Sequence, residues 1–277
     1  MGKRKPSSGK KTPPKKGASG LWLFGVLAFA IIALVVIRIA SNHASGTKPA
    51  ADASMINQPV SSAIIKDLAS APLKTVPNQG WTNPTPSKGS LPDVGKKPVF
   101  LYIGAEYCPF CAAERWAMIV ALDRFGSFKN LHYMLSTASD VYPNTPTFTF
   151  YGSTYSSRYV DFQPVETTRR NENVRLQTPS TAQYNYFRAN NSQGQIPFVA
   201  VGGKYVWVGS AYQPTALKGR TWDEIARAVD HPTSGSVGGQ ILQNANVLTA
   251  AICHTDGGKP ASVCTSPAVK SLISALP

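Results

Sequence analysis

Two cysteines separated by two residues, Cys108-Pro109-Phe110-Cys111, bear most directly on chemistry in this chain of 277 residues. Sulfurs at that spacing can cycle between dithiol and disulfide, supply half of a four-ligand zinc site, or form a purely structural bridge. These uses differ in what else they require. Zinc needs a second pair of ligands, and the candidates are Cys253 and Cys264, with His254 beside the first. The ten residues between those two cysteines make a wide gap for a zinc knuckle. A bridge between Cys108 and Cys111 closes so short a loop that it stabilises little by entropy. Exchange chemistry needs one reactive thiol, and a helix start supplies it, because unpaired backbone N–H groups and the helix dipole favour an anion there. Cys108 is the expected nucleophile and Cys111, one turn further on, the expected resolving thiol.

The flanking sequence supplies that helix start. Val99-Phe100-Leu101-Tyr102-Ile103 is a continuous apolar run, as for a strand covered on both faces. Pro109 then stands at a tolerated first-turn position, and Ala113, Trp116, Ala117, Val120, Ala121 and Phe125 recur at three- and four-residue spacing before Gly126. Leu131 to Leu135 reads as a second buried strand, completing a strand, helix, strand unit of α/β class, with His132 and Tyr133 as packing residues. Residues 137–179, rich in Thr, Ser, Tyr and Pro, read as an insertion. Its aromatics, Tyr142, Phe148, Phe150, Tyr151, Tyr155, Tyr159 and Phe162, are expected to pack a small subdomain or to line an apolar groove.

A helix is expected from Thr181 to Asn190. Phe198 to Val201 and Tyr205 to Val208 flank Gly202-Gly203, the turn chemistry of a hairpin that closes the sheet. Thr221-Trp222-Asp223-Glu224 has the pattern of a capping box, and a last helical region surrounds Cys253.

The formal net charge of +14 is unevenly distributed. Lys3, Arg4, Lys5, Lys10, Lys11, Lys15 and Lys16 precede the first acid, Asp52, and the balance of the remainder is ordinary, which argues against nucleic-acid binding. Leu21 to Ile37 carry no charge, and with Ile39 and Ala40 beyond Arg38 the run is long enough to span a bilayer. A cleavable signal peptide is the rival reading, with Ala44-Ser45-Gly46 as a weak cleavage site. The positive-inside rule then leaves the N-terminus cytoplasmic and exports the rest, with all four cysteines. The expected division is a basic tail over 1–20 that meets membrane lipid, a transmembrane helix over 21–40, a tether over 41–98, the α/β domain over 99–235, and a helical extension over 236–277. In an exported chain Cys253 and Cys264 are expected to form a structural disulfide, with an electron relay to the first pair as the alternative.

Ala105-Glu106-Tyr107-Cys108-Pro109-Phe110-Cys111 resembles the active-site stretch of thioredoxin-fold proteins, in which an aromatic residue commonly precedes the first cysteine. The chain as a whole is similar to an uncharacterised membrane-anchored thioredoxin-like family, a domain of unknown function. The resemblance covers about Val99 to His231. It implies a three-layer thioredoxin-like domain in which the Ile196-Pro197 turn is cis, faces the cysteines, and uses Ile196 to contact an extended substrate. It also brings out two departures. Tyr102 stands where many thioredoxins hold a buried acid, and Glu106, expected as a solvated loop carboxylate, is the nearer acid. The insertion also lengthens the stretch between Cys108 and Pro197.

The expected function is thiol-disulfide exchange without a cofactor, on exported proteins or with a membrane thiol-relay partner. The alternative is a non-enzymatic surface binding module on the same fold.

Overall fold

The computed structural model describes Gly2 and residues 50–277 apart from 78, 79, 81, 92–96 and 173. Among the described residues no helix is long and apolar enough to cross a membrane. The expected basic tail and the expected anchor over 21–40 lie outside the described residues.

The architecture is mixed α/β, built on a five-stranded sheet. Its strands are β1 (Thr85–Pro86), β2 (Val99–Gly104), β7 (Asp161–Glu166), β8 (Phe198–Val201) and β9 (Tyr205–Val208), in the order β1-β9-β8-β2-β7. β2 runs parallel to β7 and antiparallel to β8, and β8 runs antiparallel to β9. The central strand β2 is buried along its whole length, because each of its faces carries a layer. Val99, Leu101 and Ile103 join Phe198, Ala200 and Val165 in one apolar cluster with Tyr186 and Phe187 of α3 (Thr181–Asn190). Phe100 and Tyr102 point the other way with Val199 and Val201, into a larger cluster under α2 (Pro109–Asp123). Period-two alternation on a two-sided strand therefore produces the unbroken apolar run read in the sequence.

The larger layer is helical. α1 (Ser62–Ala69) and α5 (Val237–Thr255) pack with α2, α4 (Trp222–Asp230) packs on α1 and α5, and α6 (Ala261–Cys264) and α7 (Pro267–Ile273) follow. The expected capping box of Thr221 with Glu224 is present, and Ser180 with Gln183 forms a second one that the sequence reading did not single out. The hairpin β8–β9 turns at Gly202 and Gly203, whose φ angles of 57° and 60° suit glycine.

Two features differ from the expected topology. The strand that pairs with β2 after the helix is β7, inside the stretch read as an insertion; β4 (His132–Leu135) lies outside that sheet, paired with β5 (Pro146–Thr149) on one edge and bridged to the chain at Pro59 on the other. β7 has the sequence Asp-Phe-Gln-Pro-Val-Glu and is half-buried over its first four residues, as befits an edge strand, so it lacks the apolar run that marks β2. The other difference concerns the segment expected as a tether, in which the apolar patch Val60 to Leu68 could form a helix packing on the domain: that helix is present as α1, and more of the segment than the helix joins the domain. Ile64, Leu68 and Val76 are buried in the main core, and β1 extends the sheet beyond β9.

The insertion is held by aromatic and polar contacts rather than by a separate core. Phe128 of β3 (Gly126–Lys129) and Tyr155 of β6 (Thr154–Ser157) pack with Phe150 and Phe162. β5 is wedged against the helices: Trp116 and Trp222 donate their indole N–H groups to the carbonyls of Pro146 and Thr147, and the Thr147 hydroxyl donates to Ala112.

α4 and α5 approach closely at Gly238, where an added Cβ would stand 1.7 Å from the Ala228 carbonyl oxygen. Gly238→Ala must separate α4 from α5, and a loss of about 1–3 kcal/mol is expected. Chemical denaturation of the variant beside the parent measures it, and an unchanged midpoint would refute this packing.

Candidate functional site

Cys108 occupies the N-cap of α2, with φ −74° and ψ 120°, and Pro109 follows in the first turn. The Cys108 Sγ accepts the Cys111 N–H at 3.2 Å, so a backbone donor that would otherwise be unpaired is directed at the sulfur. Both cysteines are free thiols, and with Ala105 they form a small apolar cluster bordered by Tyr107, Phe110 and Ile196. The hydrogen bond from the Cys111 thiol, together with backbone donors and the Arg115 charge, holds the Cys108 pKa below the ordinary cysteine value even though burial opposes it. Cys111 is fully buried, and burial pushes its pKa well up, as does its bond to Cys108. One helical turn thus separates a thiol prepared to ionise from one held protonated.

Beneath the pair lies a group that spacing alone brings to the same helix face. Arg115 follows Cys111 by four residues and Cys108 by seven, and it is wholly buried. Its guanidinium makes a two-point ion pair with Glu166 of β7, Nε to Oε1 at 2.8 Å and Nη2 to Oε2 at 2.7 Å. Nη2 also donates to the Ala105 carbonyl at 2.8 Å, in the loop that leads to Cys108. Burial works against the Arg115 charge, but Glu166 and its other neighbours outweigh it and hold the pKa well above the usual value. The remaining nitrogen, Nη1, is buried without a partner. Sequence reading missed both residues, although the i, i+3, i+7 spacing of Cys108, Cys111 and Arg115 was available as a signal.

Tyr102 is fully buried, its hydroxyl lacks a hydrogen-bond partner, and its ring lies 5.7 Å from the Arg115 guanidinium carbon. Burial drives its pKa well up, so this hydroxyl keeps its proton and cannot replace a carboxylate base. Glu106 corrects the expectation of a solvated loop acid. It is 5% exposed, accepts the Thr149 hydroxyl at 2.7 Å and the Arg170 N–H at 3.3 Å, and burial raises its pKa.

The Ile196–Pro197 peptide is cis, and the Ile196 carbonyl oxygen is 3.9 Å from the Cys108 Sγ, so the long intervening stretch does not separate them. Local bonds fix this turn. The Asn191 side chain bonds the Gln195 backbone at both ends, and Gly209 donates to the Pro197 carbonyl. The loop after β9 is docked on α2, where the buried Glu114 carboxylate accepts the Ala211 N–H and the Tyr212 hydroxyl donates to Ala113. Burial pushes the Glu114 pKa up to about 7.

Phe110 and Tyr142 meet edge to face at 5.6 Å between ring centres, which brings one insertion aromatic to the cysteine pair. Phe148 and Phe150 are core residues, whereas Tyr151 is exposed.

Cys253 and Cys264 are bonded to each other and buried in the main helical core. The zinc alternative needs these sulfurs as thiolate ligands, a role the bond between them precludes. Among the described residues no group of three or more His, Cys, Asp or Glu could hold a metal ion.

Fold and site together define a mixed α/β protein with a free cysteine pair at the strand-to-helix junction of its central strand. A family model described as a domain of unknown function (DUF929) matches residues 93–185 and 173–254, more than half of the chain, and the chain belongs to this family. No curated protein and no solved structure matches it.

Replacing Arg115 by Met leaves Glu166 as an uncompensated buried acid, with an expected cost of about 3–5 kcal/mol. The double variant Arg115→Met/Glu166→Leu is expected to recover most of that loss. Denaturant titration of the parent, the single and the double variant checks it; a single variant as stable as the parent would contradict the pairing.

Proposed function

We propose that this protein is a membrane-anchored thiol-disulfide oxidoreductase of thioredoxin-like fold, acting outside the cytoplasm on the thiols and disulfides of exported proteins or of a membrane thiol-relay partner. The carrying observation is the asymmetry of the pair: Cys108 at the helix cap receives the Cys111 N–H, while Cys111 is wholly buried one turn inside. A binding module has no use for that division between two sulfurs.

The sheet supports the fold reading. Strands β7-β2-β8-β9 combine a parallel neighbour of the central strand with an antiparallel hairpin, α2 follows β2, and the Ile196-Pro197 turn precedes β8. That turn stands beside Cys108, as the resemblance to thioredoxin-fold proteins implies for a substrate-contacting turn. The apolar run over 21–40, free of charge from Leu21 to Ile37, supports an anchor with the basic tail on the cytoplasmic side. The Cys253–Cys264 bond supports a structural role for the second pair in an oxidising compartment.

In the reducing direction the Cys108 thiolate attacks one sulfur of a substrate disulfide. A mixed disulfide forms and one substrate thiolate leaves, taking up a proton. Cys111 then gives up its proton and attacks the Cys108 sulfur, the second substrate thiolate is released, and the protein is left with a Cys108–Cys111 disulfide. The reverse sequence oxidises a substrate dithiol. The Ile196 carbonyl can accept a hydrogen bond from an extended substrate backbone held against Cys108.

Substituting one cysteine at a time separates the roles. Cys111→Ser leaves attack intact and blocks release, so mixed disulfides with exported proteins accumulate after acid trapping, while Cys108→Ser traps few. Non-reducing electrophoresis with mass spectrometry reads the difference, with Cys253→Ser/Cys264→Ser as the test of participation by the distal pair. Equal trapping by both single variants, or none by either, would overturn the assignment.

A further inference from the structure

A cavity of about 710 Å³ opens beside the cysteine loop, within the range of roughly 300–1,000 Å³ usual for small-molecule sites. Its position follows from the sheet. Glu106 lies in the loop that follows β2, Arg169 and Arg170 lie in the loop that follows β7, and the two strands are parallel, so the cavity lies beyond their carboxyl ends. Ligand crevices of open α/β sheets form there. The wall is tied to the cysteine loop, since the Thr137 N–H donates to the Tyr107 carbonyl at 2.9 Å, one residue before Cys108.

The charges around the opening are of opposite sign and are not paired with each other. The Glu106 carboxylate takes one hydrogen bond on each oxygen, from the Thr149 hydroxyl and the Arg170 N–H, which leaves acceptor capacity on both. The Arg170 guanidinium is spent on the wall, donating to the Ser136 carbonyl and the Asn144 side chain. Arg169 is exposed, and its guanidinium has no acid partner among the described residues. Its place is fixed on both sides by Glu106, because the Thr168 carbonyl accepts the Glu106 N–H and the Arg170 N–H reaches the Glu106 carboxylate.

We propose that this cavity binds a small amino-acid zwitterion, a low-molecular-weight thiol or its disulfide, with the ligand ammonium on Glu106 and its carboxylate on Arg169. The ammonium offsets the cost of a buried carboxylate, and the carboxylate takes the free guanidinium with the directional geometry that arginine offers. Leu176 and Met134 give the ligand's chain an apolar wall. The sulfur part of the assignment rests on the redox reading above; the ammonium and carboxylate parts rest on the cavity alone.

The test uses the full-length chain carrying Cys108→Ser/Cys111→Ser, so that binding is measured without exchange. L-cystine, its N,N′-diacetyl derivative, its dimethyl ester and L-serine are titrated by ligand-observed NMR. L-cystine is expected to bind at least tenfold more tightly than each of the other three. Glu106→Gln, which keeps the shape of the side chain and one acceptor oxygen while removing the charge, and Arg169→Ala, at an exposed position, are each expected to weaken L-cystine at least tenfold. Absence of L-cystine binding, equal binding of either masked derivative, or L-serine binding as tightly as L-cystine would overturn the proposal. The two readings fail separately. A chain that binds L-cystine but traps no mixed disulfides loses the redox assignment, and one that traps protein disulfides but binds no L-cystine loses only this site.

Discussion

The ion pair between Arg115 and Glu166 is the contact on which the candidate site depends, because it joins three elements at one buried point. Arg115 belongs to the helix that carries the cysteines, Glu166 ends the edge strand β7, and the shared donor nitrogen holds Ala105 in the loop between β2 and Cys108. Burying such a pair gains little stability over a well-packed apolar substitute, since the cost of desolvating both ions is large. Its presence is better explained by what a fixed positive charge does for sulfur. Arg115 favours ionisation at both cysteines, while burial of Cys111 overrides that influence there and leaves Cys108 as the thiol that ionises.

Second to this charge comes the turn that faces it. Ile196 and Pro197 reach Cys108 because β8 runs antiparallel to β2, which sets the start of β8 beside the end of β2, with Phe198 opposite Ile103. Glu114 and Tyr212 then bind the loop after β9 to the cysteine helix, so the helix that positions Cys108 also braces the turn opposite it. The larger helical layer, with α5 against α2 and α4, gives this helix a rigid back, and the Cys253–Cys264 bond fastens the end of α5 to α6.

Elements with a strong local signal were legible in the sequence. β2 announced itself by a two-sided apolar run, α2 by its period and its proline, and α4 by Thr221 and Glu224. Cys108 and Cys111 were legible from spacing and from their place after a strand. What was hidden depended on tertiary context. β7 is an edge strand with Pro164 and Gln163 in its middle, and nothing local distinguishes it from a polar insertion. Glu166 and Arg115 look like surface charges until the fold brings them together, and Glu106 looks like a loop acid until Thr149 and the Arg170 backbone close over it. Buried charge is the rarer fate of these residue types, so a reading by residue type misses it.

The account is tested most directly by following alkylation of each cysteine as a function of pH in the folded, reduced full-length chain. Iodoacetamide labelling with peptide mass spectrometry reads the two positions separately. The account predicts that Cys108 is labelled with a midpoint below the ordinary cysteine value of about 8.5, that this midpoint rises in Arg115→Met/Glu166→Leu, and that Cys111 stays unlabelled over the same range. Labelling of both cysteines with one shared midpoint at the ordinary value, or faster labelling of Cys111 than of Cys108, would contradict it.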